Sequence, residues 1–154
     1  MTMSEAINNL GSVRAWLRTC TAFKSTAFFG ADFLKDDPEH FALYSVPSAL
    51  ATRENILGDM KLRPVQTQNF IVAYRAPYGA QVVQNLDNVL FFQTIAAWIW
   101  KQNETHNFPA WEGGNITSIV PTITPTIMEA GTATARYQIQ IKVTYHIKES
   151  ETNG

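Results

Sequence analysis

The sequence predicts an α+β domain: an antiparallel or mixed four-stranded sheet with two helices packed on one face, plus a long loop or hairpin arm. Three observations predict it. Segments 4–20 and 80–102 carry apolar residues at spacings of three and four, the period of a helix. From Tyr137 to Ile147, apolar and polar residues alternate without a break, the period of a strand with one face on a core. The elements follow in the order helix, strand, excursion, strand, helix, strand, strand, with no internal repeat. Residues 1–148 read as a single domain and 149–154 as a disordered tail.

In the first helix Ala6, Leu10, Val13 and Leu17 form one stripe, with Ser4 as N-cap. Phe23, Phe28, Phe29 and Phe33 punctuate a less regular stretch that ends at the turn signal Asp36-Asp37-Pro38. Residues 39–46 read as a short strand with Phe41 and Leu43 on one face, closed by Pro47. No period persists over 48–64, where Arg53, Glu54, Lys61 and Arg63 are interspersed with Gly58 and Asp59. This is the excursion, an extended arm or hairpin.

Residues 65–75 form the next strand. Both of its faces are apolar around Phe70-Ile71-Val72-Ala73-Tyr74, as in a strand at the middle of a sheet or under a second layer. Pro77-Tyr78-Gly79 hands over to the helix over 80–102, with Val82, Leu86, Val89 and Ala96 along one stripe. Its second half is apolar nearly all round, at Phe91, Phe92, Ile95, Trp98, Ile99 and Trp100. A helix on one sheet needs an apolar arc of only about 100°. The surplus calls for a second cover, either the N-terminal helix or another subunit. Beyond Gly113-Gly114, segment 115–128 is a strand that contains Pro121 and Pro125, which places it at a sheet edge or gives it a bulge. A hairpin turn at 129–132 leads into the alternating strand.

Composition narrows the function. Of 154 residues, 45% are hydrophobic and only 16% are charged, a balance that suits subunits packing together. A net charge of −1, with basic residues scattered rather than striped, argues against specific nucleic-acid binding. The single cysteine, Cys20, rules out an internal disulfide and reads as a buried small hydrophobe. The first residues lack a secretory pattern, and the longest apolar stretch, 89–100, is too short for a bilayer. The expectation is a protein of the cytoplasm with no membrane partner.

Nothing in the chain resembles a catalytic or cofactor constellation. His40, His106 and His146 lack partners at metal-ligand spacing. Asp36-Asp37 serves a turn, and Gly113-Gly114 lacks the lysine and flanking elements of a phosphate loop. The expected cofactor is none, and the expected class is a non-enzymatic structural protein.

One set of motifs carries a resemblance. Tyr78-Gly79, Val82, Gln84-Asn85-Leu86-Asp87-Asn88, Phe91-Phe92 and Trp98-Ile99 are followed later by the run from Thr134 to Gln140. The pattern resembles that of small proteins encoded in the structural-gene cluster of long-tailed phages of Gram-positive bacteria. These are known as minor capsid proteins and are similar to tail terminator, or tail-to-head joining, proteins. The resemblance spans about half the chain, 70–147, and the stretches 23–33 and 53–63 depart from it. It implies a virion protein at the tail-head junction, a hexameric ring that caps the tail tube and meets the head connector. The alternatives are a head completion or neck adaptor protein and, further off, a small ligand-binding domain or enzyme.

A ring needs two different patches that meet head to tail. The candidate subunit interface is the over-wide helix at Phe91, Phe92, Ile95, Trp98 and Trp100, with the polar strand face at Gln138 and Gln140. The candidate partner-contact arm carries Arg53, Lys61 and Arg63. The implied partners are further copies of the chain as a homo-hexamer, the tail tube protein and the head-tail connector protein.

Overall fold

A computed structural model describes residues 9–23, 29–36, 38–47, 49–131 and 133–147. Among the described residues two helices, α1 (Asn9–Leu17) and α2 (Val82–Thr105), accompany seven strands. These are β1 (Phe29–Ala31), β2 (His40–Val46), β3 (Thr52–Glu54), β4 (Met60–Leu62), β5 (Val65–Pro77), β6 (Gly114–Ala130) and β7 (Thr134–Ile147). The N-cap at Ser4 and the tail at 149–154 lie outside the described residues.

The main sheet has five strands in the order β1-β2-β5-β7-β6, not the expected four. The additional strand is β1, which runs parallel to β2 while every other pair is antiparallel. With three residues it is too short for alternation to show, and only its pairing with Phe41 to Leu43 makes it a strand.

β5 lies at the centre of the sheet, which accounts for its two apolar faces. Phe70, Val72, Tyr74 and Ala76 join the main core, while Ala73 packs on the opposite face with Leu34, Ala42 and Tyr44. β6 is an edge strand, and its pairing with β7 shifts register at four places, two of them adjoining Pro121 and Ile123. A proline cannot donate to a ladder, so the edge is where it fits. In β7, Ala135, Tyr137, Ile139, Ile141 and Val143 are buried, and the alternate positions are half-buried up to Thr144 and exposed at His146.

Both helices cover one face. Leu10, Val13, Trp16 and Leu17 of α1 share a single core with Phe92, Ile95 and Ile99 of α2 and the inward residues of the sheet. An aromatic nest lies between the layers: Phe41 stacks on Tyr74 at 4.7 Å and on Phe91 at 5.3 Å, and Phe23 meets Phe41 edge-on at 4.9 Å. Trp16 packs on Trp98 at 4.8 Å and donates its indole N–H to the Asn107 carbonyl at 2.9 Å. Cys20 is buried, and burial pushes its thiol pKa up.

Side-chain amides fix α2 at both ends. Asn85 donates to the Gly79 carbonyl at 2.8 Å, Asn88 donates to the Pro77 carbonyl at 2.7 Å, and Gln84 donates to the Asn88 side-chain oxygen at 3.0 Å. The Gln-Asn-Leu-Asp-Asn motif thus sets the angle at which α2 leaves the turn after β5. At the other end, Asn103 clamps α2 to β6: it accepts from the Ile119 N–H at 2.8 Å and donates to the Ile119 carbonyl. His106 closes the helix in the left-handed region at φ 53.

Candidate assembly surfaces

The face that α2 turns to the core is not the one its aliphatic stripe suggests. Its buried residues are Asn88, Phe92, Ile95, Ile99 and Gln102. Two of them are amides, and both are satisfied: Asn88 bonds the turn, and Gln102 accepts from the Asn107 side chain at 2.6 Å. Because these polar groups find partners inside, the opposite side of the helix is left apolar and exposed. Val82, Val83, Leu86, Leu90 and Trp100 all face solvent, Leu86 at 63% and Trp100 at 53% exposure. Positions 83, 86, 90, 93, 97 and 100 recur at three and four and are all exposed, so they line one seam along the helix.

This corrects the expected subunit interface. Phe92 and Ile95 have no exposed surface and belong to the core of their own protomer. Phe91 packs against Phe41 and Tyr74, and Trp98 against Trp16, so the N-terminal helix is the cover that Trp98 required. Trp100 alone of the five points outward. The residues that sequence reasoning missed are Val82, Val83, Leu86 and Leu90. The helical spacing of Val82 and Leu86 was visible, but spacing alone does not say which stripe faces the core.

The excursion is a hairpin. β3 and β4 pair Arg53 with Lys61, flanked by Thr52 opposite Leu62 and Glu54 opposite Met60. Strand alternation therefore divides it into a basic face, with Arg53 and Lys61, and a face carrying Met60 and Leu62. Arg63 donates its Nε–H to the Thr52 carbonyl at 3.1 Å. Among the described residues the two strands pack against no other strand or helix, so the hairpin projects from the body. Its tip is self-contained: the Asn55 side chain accepts the N–H groups of Leu57 and Asp59, each at 2.9 Å, and Gly58 supplies φ 85. That geometry leaves Ile56 and Leu57 at 101% and 82% exposure.

At its base the arm is anchored by Gln66 of β5, which bonds the backbone of Ala51 and Arg63. A cleft of about 220 Å³ adjoins the same region, lined by Val46, Leu50, Gln68 and Tyr145 among others. It is smaller than most small-molecule sites.

Gln138 and Gln140 are half-buried on the sheet face opposite the helices, next to Ala73 and Ile71. In phase with them, Arg136 of β7 sits directly across from Arg75 of β5. The Arg136 guanidinium lies 5.2 Å from the centre of the Tyr44 ring, and the Nε atoms of both arginines are buried with no hydrogen bond to any of the described residues. Sequence reasoning stopped at Gln138, although the same alternation reaches Arg136 two residues earlier.

Among the described residues no cluster of His, Cys, Asp and Glu could hold a metal ion, and no helix is long and apolar enough to cross a membrane. No protein-family model matches the chain, and no curated protein matches it at significant similarity.

Proposed function

We propose that this chain is a ring-forming structural subunit, the tail terminator of a long-tailed phage, which caps the tail tube and joins tail to head. The observation that carries the reading is the pair of unlike, unpartnered surfaces on one protomer. One is the outward apolar seam of α2, and the other is the projecting hairpin with Ile56 and Leu57 at its tip. A subunit with two different adhesive patches assembles head to tail, and such contacts generate rings when the rotation closes. The motif resemblance supplies the tail and head context. Its Gln-Asn-Leu-Asp-Asn core acts here by fixing the start of α2, so that Leu86 and Asp87 are displayed while Asn85 and Asn88 bond the turn. The partners in this reading are further copies of the chain, in a hexamer, together with the tail tube and head-tail connector proteins.

The test is the particle made without the protein. Electron microscopy of lysates from a phage whose copy of this gene is interrupted should show filled heads separate from tails of irregular, excessive length. Leaky filled heads beside tails of normal length would instead assign a head completion or neck adaptor role.

A further inference from the structure

We infer that the hairpin β3–β4 of one copy seats on the outward seam of α2 of the next copy, with Ile56 and Leu57 against Val83, Leu86 and Leu90. This rests on the ring reading and names the surfaces that meet.

Three features of the molecule converge on a second copy as the occupant. The first is the hairpin itself. Two short strands with no third strand and no helix against them are marginal in water, yet among the described residues this pair packs against no other strand or helix of its chain. Its tip is set by Asn55, not by burial of Ile56 and Leu57, so the two most fully exposed large apolar side chains are displayed in a fixed arrangement. A preordered apolar tip loses little entropy on docking.

The second is the receptor. Val82, Val83, Leu86 and Leu90 make the first half of α2 an exposed aliphatic strip on a rigid helix, held at its start by Asn85 and Asn88. The hairpin does not reach α2 of its own chain. One head-to-tail contact therefore covers both surfaces in every protomer, in equal number, as a ring requires.

The third is charge. Arg53 and Lys61 lie directly across from each other, a like-charge pair that disfavours the hairpin alone. Segment 52–63 holds Arg53, Lys61 and Arg63 against Glu54 and Asp59, a net of +1. α2 holds Asp87 and Glu104 against Lys101, a net of −1, and Asp87 adjoins the aliphatic strip while Lys101 lies at the far end. Two hairpins meeting tip to tip would instead bring basic pairs together. The complementarity favours hairpin on helix over hairpin on hairpin.

The test uses the full-length chain in light scattering over a concentration series. A tip variant (Ile56→Asp with Leu57→Asp) and a seam variant (Leu86→Asp with Leu90→Asp) change exposed side chains only, and circular dichroism checks that both remain folded. Each variant alone should stay monomeric at concentrations where the unchanged chain assembles. Mixed in equal amounts they should form a dimer and nothing larger, because one good tip and one good seam remain in the pair. A charge exchange gives an independent readout: Lys61→Glu should weaken assembly roughly tenfold or more, and Asp87→Lys in the same chain should restore part of it. If the seam variant fails to fold, Leu86→Gln with Leu90→Gln takes its place. Full assembly by either variant alone, a mixture that stays monomeric, or an unchanged chain that is monomeric throughout would each overturn the inference. The ring reading fails separately. Tails of normal length in particles lacking the protein would remove it even if the mixed variants dimerise, and overlong tails would keep it even if they do not.

Discussion

The side chain of Gln66 pairs with the backbone of Ala51 as a neighbouring strand would, accepting the Ala51 N–H at 2.7 Å and donating to the Ala51 carbonyl at 2.8 Å. A third bond runs from Gln66 Nε2 to the Arg63 carbonyl at 2.9 Å. One buried amide thus ties together the chain entering the hairpin and the chain leaving it. The arm needs such a clasp, because among the described residues its strands pack against no other strand or helix.

Replacing Gln66 by leucine keeps the volume and leaves those backbone groups without their partner. Each unsatisfied buried group costs about 1–3 kcal/mol. The loss should fall mainly on the arm, since the sheet on either side of Gln66 keeps its ladder. Hydrogen exchange at Arg53 and Lys61 should accelerate roughly 10- to 100-fold, with smaller changes at Phe70 and Ile139. Unchanged exchange across β3 and β4 would mean that the arm is ordered by something other than this clasp.

Asn103 does the corresponding work between α2 and the edge strand. Its side chain exchanges two hydrogen bonds with the backbone of Ile119, whose own side chain is fully buried. Asn103→Ala should lower stability by about 1–3 kcal/mol, or about 2–10 °C in Tm for a chain of this size. Asn103→Asp keeps an acceptor for the Ile119 N–H but sets a carboxylate oxygen against the Ile119 carbonyl, so it should not rescue. A melt of Asn103→Asp that matches the unchanged protein would remove the donated bond from this account.

How much of this was legible in the sequence depended on whether the signal was local. The alternation of β7 is visible because one face is wholly core, and the prolines of β6 mark an edge because they cannot donate. β1 was not legible, because its identity lies in its pairing with Phe41 to Leu43 and not in its own three residues. The arm appeared as a loss of period, although Asn55 and Gly58-Asp59 carry the turn chemistry that makes it a hairpin. The orientation of α2 was misread for a physical reason. Hydropathy places Asn88 and Gln102 outside, but their partners are inside, at Pro77 and Asn107. With those two amides facing in, Val82, Val83, Leu86 and Leu90 face out while Val89 and Ala96 stay against the core, and the candidate interface moves from Phe92 and Ile95 to Leu86 and Leu90.

That reassignment predicts two very different aromatic substitutions on one helix. Phe92→Ala opens a cavity between α2 and the sheet and should cost about 3–5 kcal/mol in chemical denaturation. Trp100→Ala, measured where the chain is monomeric, should change stability by no more than about 0.5 kcal/mol. Equal losses at the two positions would mean that the outward seam is packed within the protomer.

The aromatic nest sets the response to alkali. Burial against Phe41 and Phe91, and secondarily the nearby Glu39 carboxylate, push the pKa of the Tyr74 hydroxyl up to about 12, from an ordinary value of 10.0. The folded state therefore holds this proton more tightly than the unfolded chain does. Its contribution to stability is fully present below pH 10 and is lost as pH rises from 10 through about 12. The loss is on the order of 2–3 kcal/mol, from about 1.4 kcal/mol for each tenfold change in proton affinity. Denaturation midpoints measured from pH 8 to 12 should fall along this limb, and Tyr74→Phe, which keeps the ring and has no proton to lose, should flatten it. Tyr145, also raised by burial, adds a shallower slope of the same sign that survives the substitution. A Tyr74→Phe chain that loses stability as steeply as the unchanged one would place the alkaline transition elsewhere in the molecule.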